Sequence, residues 1–370
     1  MCKNNLVIGA GISGATIARL IAENLNEKVI VVDIKEHIGG NCYDYRDENG
    51  IMIQKYGTHV FHTNNTEVWR FLSRFTKFNT YMHKVIAHID GVEANIPFNF
   101  NTLYQVFPES LAKRLEKKLL SKYTYNTKVP ILDFIQQDDA DLKFLGHYIY
   151  DKVFLNYTVK QWGLDPTSVA SSVTARVPVY LSKDNRYFQD KYQGIPQNGY
   201  TSMIKNILNH RNIEVRLKTN FKDVKEKFDR TICTASIDEY FEYKFGILPY
   251  RSVLFELETY SNELYQSSAQ HNYPNNYDFT RIHEYKHLLN DNSKKTVIAK
   301  EYSDAFELGK NDRYYPIDNH ETRATYAQYL ALAAKRKNLF MLGRLGDYRY
   351  YNMDNAVERA ISLFKEISHA

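Results

Sequence analysis

The segment LVIGAGISGATIARLIAENLNEKVIVVD, residues 6–33, joins an apolar run, a glycine turn, a helical stretch and a second apolar run that ends in Asp33. This order predicts a βαβ unit that binds a dinucleotide. Gly9 allows the tight turn, Gly11 lets the backbone approach a pyrophosphate, and Gly14 lets the helix pack closely on the strand. The helix N-terminus offers free N–H groups to phosphates. Asp33 is placed to accept hydrogen bonds from a ribose.

A second glycine turn favours FAD over NAD as the dinucleotide. The segment HIGGN, residues 37–41, directly follows the acidic strand end. Its Gly40 and Asn41 are expected to pass close to the flavin dinucleotide, and Ser13 of the first turn joins them as a cofactor-binding residue. The alternative is a plain βαβ unit with an acidic strand end.

The composition limits the classes of function. A chain of 370 residues is long enough for two or three domains. Its positive and negative charges nearly balance, at a net charge of +5, so the composition does not indicate binding of nucleic acid. Cys2, Cys42 and Cys233 lie far apart and show no metal-ligand spacing, so we expect reduced thiols, no metal site and a cytoplasmic protein. No apolar run approaches the roughly 18 residues of a membrane span, and the immediate first strand leaves no room for a signal peptide.

The rest of the chain predicts an α/β fold with a Rossmann-type FAD-binding domain, a helical insertion domain and a small antiparallel β-sheet domain. The region 103–169 has helical periodicity, whereas residues 250–302 alternate as sheet strands. Leu339–Arg344 is predicted as a last buried strand, followed by a helix from about Met353 to Ile367. The approximate boundaries are 1–79, 194–240 and 317–370 for the FAD domain, 98–178 for the helical substrate domain, and 80–97, 179–193 and 241–316 for the sheet domain.

Segments along the whole chain resemble the bacterial UDP-galactopyranose mutases. Besides the two glycine turns they are KYGTHVFHT (55–63), YTVKQWG (157–163), NRYFQDKYQGIP (185–196), YRSVLFE (250–256), TRIHEYKH (280–287), YYP (314–316) and GRLGDYRYYNM (343–353). The occurrence of all these segments in the same order is a far more specific sign of the family than the glycine turn alone.

The resemblance implies an isomerase without net redox chemistry, which interconverts UDP-galactopyranose and UDP-galactofuranose on reduced FAD. In this family flavin N5 attacks the anomeric carbon, UDP leaves, and a flavin iminium adduct lets the sugar ring open and reclose. The resemblance also implies a homodimer, an external reductant such as NAD(P)H, and a galactofuranose product for cell-surface polysaccharide. No membrane insertion is expected.

Three residues are implied as catalytic. Arg176 and Arg281 match family arginines that grip the diphosphate, for which guanidinium forks are suited. His59 matches a position beside the flavin, where it would support the flavin's protonation state or the sugar hydroxyls. Arg251 is a further phosphate candidate, and Arg344 matches an arginine that favours the anionic reduced flavin. The alternative for Arg176 and Arg281 is a solvated surface cation.

The remaining implied contacts concern the nucleotide and the cofactor. Trp162 is expected to stack on uracil, although a core tryptophan is the alternative. The other family matches are Thr158, Tyr187 and Asn272 for the nucleotide, Tyr315 and Tyr350 for the diphosphate with Tyr314 and Tyr351 as one-position alternatives, His62 for the flavin loop, and Val60 and Met353 for the cofactor.

Other functions remain open at this point. Thr58, Gln54 and Asn352 depart from common family residues and leave the sugar undecided, so the same chemistry on UDP-N-acetylgalactosamine, or on both sugars, is an alternative. An amine-oxidase-like flavin oxidoreductase would share the first 41 residues but would not need paired arginines. A non-catalytic nucleotide-sugar binding protein would not need a flavin.

Overall fold

The structure is a computed structural model that describes residues 3–163 and 178–369. Its strands are β1 (Asn4–Ile8), β2 (Lys28–Val32), β3 (Asp44–Arg46), β4 (Met52–Gln54), β5 (Phe61–Thr63), β6 (Phe78–Thr80), β7 (Val85–Ile89), β8 (Val92–Ile96), β9 (Lys128–Val129), β10 (Val179–Tyr180), β11 (Tyr192–Pro196), β12 (Ile213–Arg216), β13 (Arg230–Cys233), β14 (Tyr250–Tyr260), β15 (Gln270–Asn272), β16 (Arg281–Glu284), β17 (Thr296–Ala305), β18 (Tyr315–Pro316) and β19 (Leu339–Met341).

Its α-helices are α1 (Ile12–Asn24), α2 (Thr66–Ser73), α3 (Phe100–Val106), α4 (Glu109–Lys122), α5 (Ile131–Ile135), α6 (Ala140–Ile149), α7 (Asn156–Trp162), α8 (Gly199–Leu208), α9 (Ile237–Tyr240), α10 (Lys286–Leu289), α11 (His320–Ala334), α12 (Gly343–Gly346) and α13 (Met353–His369). A π-helical segment, Tyr150–Leu155, joins α6 to α7. No helix among the described residues combines the length and the apolar character needed to cross a membrane.

A parallel sheet with the strand order β12-β2-β1-β13-β19 confirms the Rossmann-type prediction. Val7 of β1 and Val31 of β2 are fully buried in a cluster with residues of α1, α8 and α13. Leu6 and Ile8 point into a different cluster, which includes residues of α11. Because strand side chains alternate between faces, apolar residues on both faces require helices on both sides of the sheet.

The second large sheet has the order β18-β14-β17-β16-β15-β7-β8. Its neighbouring strands pair antiparallel except β15 and β7, which run parallel. The longest pairing joins β14 to β17 over ten residue pairs, from Arg251 with Ala305 to Tyr260 with Thr296. The antiparallel prediction therefore holds for most of this sheet, with one parallel pair added.

Helices α3–α7 form the helical region that the periodicity predicts, as far as the described residues reach. Leu115 and Leu119 of α4 are fully buried in its core. The strand pairing differs from the expected placement of residues 179–193 in the sheet domain. β10 pairs with β9 because Val179 and Leu181 belong to the apolar core of the helices, whereas β11 pairs with β5 and β6.

The first glycine turn predicts a stability test. A Cβ at Gly14 would lie 2.0 Å from the carbonyl oxygen of Gly9, whereas a Cβ at Gly11 has its nearest neighbour, the Gly40 Cα, at 3.7 Å. We expect Gly14→Ala to lower the free energy of unfolding of the cofactor-free protein by about 3 kcal/mol, because helix and strand must separate. The matched Gly11→Ala variant should stay within about 1 kcal/mol of wild type. Urea unfolding measures both, and equal losses would contradict the close contact.

Candidate active site

The carboxyl ends of the parallel strands open into the main cleft of the described residues. The cleft is lined by residues at or just after the ends of β1, β2, β13 and β19, among them Gly9, Asp33, Thr234 and Gly343. The first residues of α1 and α13, Ile12 and Met353, also line it. In open α/β sheets ligands bind at this edge, and helix N-termini attract phosphate. The chain therefore has a nucleotide-binding Rossmann domain with its cleft in the expected place.

Most of the predicted cofactor residues lie in this cleft. Those that line it are Gly9, Gly11, Ser13, Asp33, Gly40, Asn41, His59, Arg344 and Met353. Gly14 and Val60 are not among its lining residues. Gly14 packs against the Gly9 carbonyl, and Val60 belongs to an apolar cluster that includes Ile53 and Tyr285.

The backbone at the centre of the cleft is shaped by the absence of side chains. Gly9 has φ of +105°, and a Cβ there would lie 2.0 Å from the Thr234 hydroxyl oxygen. Gly11 pairs with Gly39 in an isolated bridge, so the two glycine turns lie side by side. No side chain of the described residues caps the start of α1, and its first N–H groups face the end that a pyrophosphate would occupy.

Asp33 is held by the backbone on both sides. Its two carboxylate oxygens accept hydrogen bonds from the backbone N–H groups of Ala10 at 2.8 Å and Lys35 at 2.9 Å. A carboxylate has about four lone-pair sites, so capacity remains for the hydroxyl groups of a ribose.

His59 lies between the cleft and the second sheet. Its Nδ1 is 2.8 Å from the Gly57 carbonyl oxygen, so Nδ1 carries the proton and Nε2 keeps a lone pair. Burial, with a smaller contribution from the Arg344 charge, lowers the pKa of His59 to about 4. The imidazole is therefore neutral at neutral pH. His62 is oriented differently: its Nδ1 is 2.8 Å from the Asp190 carboxylate and its ring stacks on Phe188.

Arg281 is the centre of a charged cluster on the second sheet. It pairs in register with Glu301, and its Nη2 lies 2.8 Å from Glu301 Oε1 and 3.2 Å from Gln161 Oε1. His283 Nε2 lies 2.7 Å from Glu301 Oε2. Burial alone would raise the pKa of Glu301, but Arg281 and His283 outweigh it and hold the pKa at about 2. The pair therefore stays charged although Glu301 is only 4% exposed.

Part of this cluster remains unsatisfied. Among the described residues, Arg281 Nε and His283 Nδ1 are buried and have no hydrogen-bond partner. An unpaired buried guanidinium N–H costs free energy, which a bound anion would recover. The Arg281 side chain as a whole is 18% exposed, so the residue is open to solvent although its Nε is buried.

Arg251 and Lys160 hold the helix that carries Trp162. The Arg251 guanidinium donates from Nε to the Gln161 carbonyl at 3.0 Å and from Nη2 to the Lys160 carbonyl at 3.2 Å. Lys160 Nζ in turn donates to the carbonyl of Tyr273 at 2.5 Å. The two Arg251 contacts occupy carbonyl groups that the end of α7 leaves open, and the Lys160 contact ties the helix to Tyr273. Arg251 thus supports a helix end in this structure, and its predicted phosphate contact stays a prediction.

The predicted diphosphate tyrosines gather with Trp162. The rings of Tyr315 and Tyr350 stack with centroids 5.5 Å apart, and Trp162 lies 5.9 Å from Tyr315. The Arg344 guanidinium lies 5.3 Å from the Tyr315 ring centroid and 5.2 Å from that of Tyr350. This grouping joins the second sheet to the cofactor cleft.

The neighbouring tyrosines make other contacts. The Tyr314 hydroxyl donates to the Tyr56 carbonyl, and the Tyr351 hydroxyl donates to Asp347 at 3.1 Å. Tyr351 also lines the cofactor cleft, and the predicted diphosphate contacts of Tyr315 and Tyr350 stay a prediction.

Two of the other predicted nucleotide contacts, Asn272 and Tyr187, lie near Arg281. Asn272 pairs with Arg281 across β15 and β16, Thr158 is buried on α7, and the Tyr187 ring packs at 4.9 Å from Phe188. Arg176 lies outside the described residues, so its predicted role stays a prediction.

Several residues of the site were not predicted. Arg281 is bound by Glu301 and Gln161, and Glu301 is also bound by His283. The cleft is lined in addition by Thr219–Phe221 and Thr234. A signal existed for Thr234, because it follows an apolar run that returns to the parallel sheet. Nothing local in the sequence indicates that Glu301 pairs with Arg281, since that contact depends on strand register.

Comparisons with known proteins agree with this geometry. A family model described as UDP-galactopyranose mutase matches residues 152–350, and one for an NAD(P)-binding Rossmann-like domain matches residues 7–75. The chain is 36% identical over 369 residues to a probable UDP-galactopyranose mutase of Klebsiella pneumoniae, which covers 98% of this chain and 94% of that protein. It is 37% identical over 367 residues to a dTDP-fucopyranose mutase of Escherichia coli, covering 96% of each.

A solved structure supports the fold. A reduced UDP-galactopyranose mutase superposes with a TM-score of 0.72 at 15% identity, over all of this chain and 94% of the other. At this identity the likeness concerns the fold alone.

The buried ion pair predicts a dependence of stability on pH. The pKa of Glu301 is lowered in the folded state, so its contribution is complete above the ordinary pKa of a glutamate and is lost as the pH falls towards 2. We expect the wild-type protein to lose roughly 1 kcal/mol more than Glu301→Gln between pH 7 and pH 4. Urea unfolding at both pH values measures this. Glu48→Gln, at an exposed loop carboxylate, should behave as wild type, and equal pH dependence of all three proteins would contradict the assignment.

Proposed function

The chain belongs to the UDP-galactopyranose mutase family of isomerases, and we propose that it interconverts UDP-galactopyranose and UDP-galactofuranose with reduced FAD as cofactor. The observation that carries this proposal is the placement of Arg281, Tyr315 and Tyr350 next to the Rossmann cleft, in a chain similar to mutases over nearly its whole length. A dinucleotide in the cleft and a nucleotide sugar beside Arg281 would meet near His59 and Arg344.

The residues of the cleft fit FAD. The uncapped start of α1 and the side-by-side glycine turns would hold the pyrophosphate, and the free lone pairs of Asp33 would bind the ribose. Gly40 and Asn41 continue the lining, whereas His59 and Arg344 would lie at the flavin end. When bound, reduced FAD would supply the nucleophile that displaces the nucleoside diphosphate from the anomeric carbon.

The cation of Arg281 would stabilise the departing diphosphate. Cleavage of the bond between sugar and phosphate leaves negative charge on the diphosphate, and a fixed guanidinium close to it lowers the barrier. Glu301 and Gln161 orient Arg281 and leave its buried Nε without a partner among the described residues. Arg176 would be the second cation.

His59 would act as a neutral group beside the sugar and the flavin. The Gly57 carbonyl keeps the proton on Nδ1, so Nε2 would accept a hydrogen bond from a sugar hydroxyl or from the flavin. Arg344 would favour the anionic reduced flavin by its charge. The stacking residue for the base would be Trp162, whose helix end is fixed by Arg251.

The second candidate substrate is dTDP-fucopyranose. The relative from E. coli that carries this name is as similar to the chain as the UDP-galactopyranose mutase from K. pneumoniae. Fucose is a 6-deoxygalactose, so the ring chemistry is the same and only contacts to the 6-hydroxyl and to the base and ribose differ. UDP-N-acetylgalactosamine remains the third candidate.

We further propose a homodimer, a cytoplasmic location and NAD(P)H as reductant, by likeness to the family.

Anaerobic turnover tests the proposal. We expect the purified yellow protein to convert UDP-galactofuranose into UDP-galactopyranose after reduction with dithionite and to convert nothing when oxidised. Chromatography separates the products, and the same assay with the furanose forms of dTDP-fucose and UDP-N-acetylgalactosamine ranks kcat/KM. Higher kcat/KM for dTDP-fucose would replace the galactose assignment, and activity of the oxidised protein would contradict the role of reduced FAD.

A substitution tests the role of Arg281. We expect Arg281→Lys to lower kcat/KM by about 10²-fold, because an ammonium group lacks the fork that bridges Glu301 and a phosphate oxygen. The matched Arg19→Lys variant, on α1 and paired with Glu23, should keep wild-type kcat/KM. Near-normal activity of Arg281→Lys would show that the diphosphate is bound elsewhere.

A further inference from the structure

Two histidines and a glutamate meet on the second sheet, away from the candidate active site. His88 of β7 and His271 of β15 approach to 2.9 Å between His88 Nε2 and His271 Nδ1. Glu93 of β8 lies opposite His88, and its Oε1 is 4.0 Å from His271 Nδ1. One ligand atom from each of the three residues lies within 4.8 Å of the others.

The cluster lies on the face of the sheet opposite Arg281. Asn272 pairs with Arg281, whereas His271, one residue earlier, pairs with Ile282. Because successive side chains of a strand alternate, His271 and Arg281 are on different faces. The cluster is therefore separate from the residues proposed to bind the nucleotide sugar.

A serine orients the buried imidazole. The Ser267 hydroxyl donates to Glu93 Oε2 at 3.2 Å. The Ser267 oxygen is also 3.1 Å from His271 Nε2. A hydroxyl has one proton, so Ser267 accepts from the Nε2–H of His271, and the lone pair of His271 is on Nδ1. That lone pair is directed at His88. Metal-ligating histidines are commonly fixed in this way by a partner on the other ring nitrogen.

Both imidazoles are neutral at neutral pH, as metal-ligating histidines must be. Burial lowers the pKa of His271 to about 4 and also lowers the pKa of His88. In the free protein His88 Nε2–H donates to the lone pair of His271 Nδ1, so metal binding requires the neutral His88 ring to move its proton to Nδ1. This change of tautomer frees Nε2 as a ligand and releases no net proton. Glu93 adds the negative charge, and its side chain is 52% exposed.

We propose that His88, Glu93 and His271 form a binding site for a divalent transition metal ion, with Zn²⁺ as the preferred ion. Zinc binds imidazole nitrogen at about 2.0–2.1 Å, which places two ligands of a tetrahedron roughly 3.3 Å apart. The two nitrogens, now 2.9 Å apart, need to separate by a few tenths of an ångström. The exposed Glu93 carboxylate has the freedom to move closer.

The site has three ligands and leaves a fourth position for water. It links β8, β7 and β15, three successive strands at the end of the sheet. A bound ion would therefore connect the β7–β8 hairpin to β15, which is far from it in sequence, and it would stabilise the folded state because the site does not exist in the unfolded chain. His88 and Glu93 are five residues apart, but His271 lies far along the chain, so no metal-ligand spacing reveals the full set.

Zinc titration of the tag-free full-length protein tests the proposal. After treatment with EDTA, we expect calorimetry to give one Zn²⁺ per chain with a micromolar or tighter Kd, and Zn²⁺ to raise the Tm. Ser267→Ala should weaken binding by about 10- to 100-fold, as the loss of an orienting partner does. Glu93→Gln keeps nearly the same side-chain shape at a partly exposed position, and it should weaken Zn²⁺ binding at least as much as Ser267→Ala. His88→Gln should abolish Zn²⁺ binding.

A matched control distinguishes the site from general histidine binding. His287 pairs with Glu284 at 3.1 Å on the same sheet domain, so His287→Gln removes one imidazole from a histidine–carboxylate pair outside the proposed site. It should bind Zn²⁺ as wild type does. Co²⁺ should give the strong visible absorption of a four-coordinate site in wild type and not in His88→Gln. Absence of stoichiometric binding in wild type, or unchanged affinity of both Glu93→Gln and His88→Gln, would overturn the proposal.

Discussion

The close contact between α1 and β1 is the constraint on which the cleft depends. Gly14 lies against the carbonyl oxygen of Gly9, at a distance that leaves no room for a Cβ. The helix therefore starts directly at the end of the strand, with its free N–H groups at the edge where the parallel strands end. Gly343 lies on the other side of Ser13, where a Cβ would be 3.1 Å from the serine oxygen. Larger residues at these glycines would push the helix start away from the cleft.

The second constraint is the ion pair between Arg281 and Glu301. Transfer of a carboxylate out of water opposes ionisation, yet the opposite charge at 2.8 Å and the His283 hydrogen bond outweigh this cost and keep the pKa of Glu301 low. The pairing of β16 with β17 fixes both side chains on a sheet, and Gln161 adds a contact from α7. A cation held in this way needs little reorganisation when charge develops on a diphosphate.

Local patterns made the Rossmann part of the fold predictable, since the roles of Gly9, Gly11 and Asp33 depend on residues close in sequence. The strands of the seven-stranded sheet were predictable, but their order in the sheet was not. The parallel pairing of β15 with β7 joins segments that are distant in sequence. Arg251 illustrates the limit for the site. The resemblance implies a phosphate contact for it, but only the contact between α7 and β14 shows that two of its donors reach helix carbonyls.

Polar residues lie on both faces of the second sheet, and the hydrogen bonds that they make differ between the two faces. On the face of His271, Glu284 accepts from the backbone N–H groups of Tyr265 and Gln266, and both nitrogens of His271 have partners. On the opposite face, Arg281 Nε and His283 Nδ1 are buried without partners among the described residues. An unpaired buried donor destabilises the free protein and strengthens the binding of a group that pairs with it. Gln266 Oε1, next to Glu284, is also buried without a partner among the described residues, so the two faces differ in kind: the face of Arg281 holds an unpaired cationic donor on the side where the nucleotide sugar is proposed to bind.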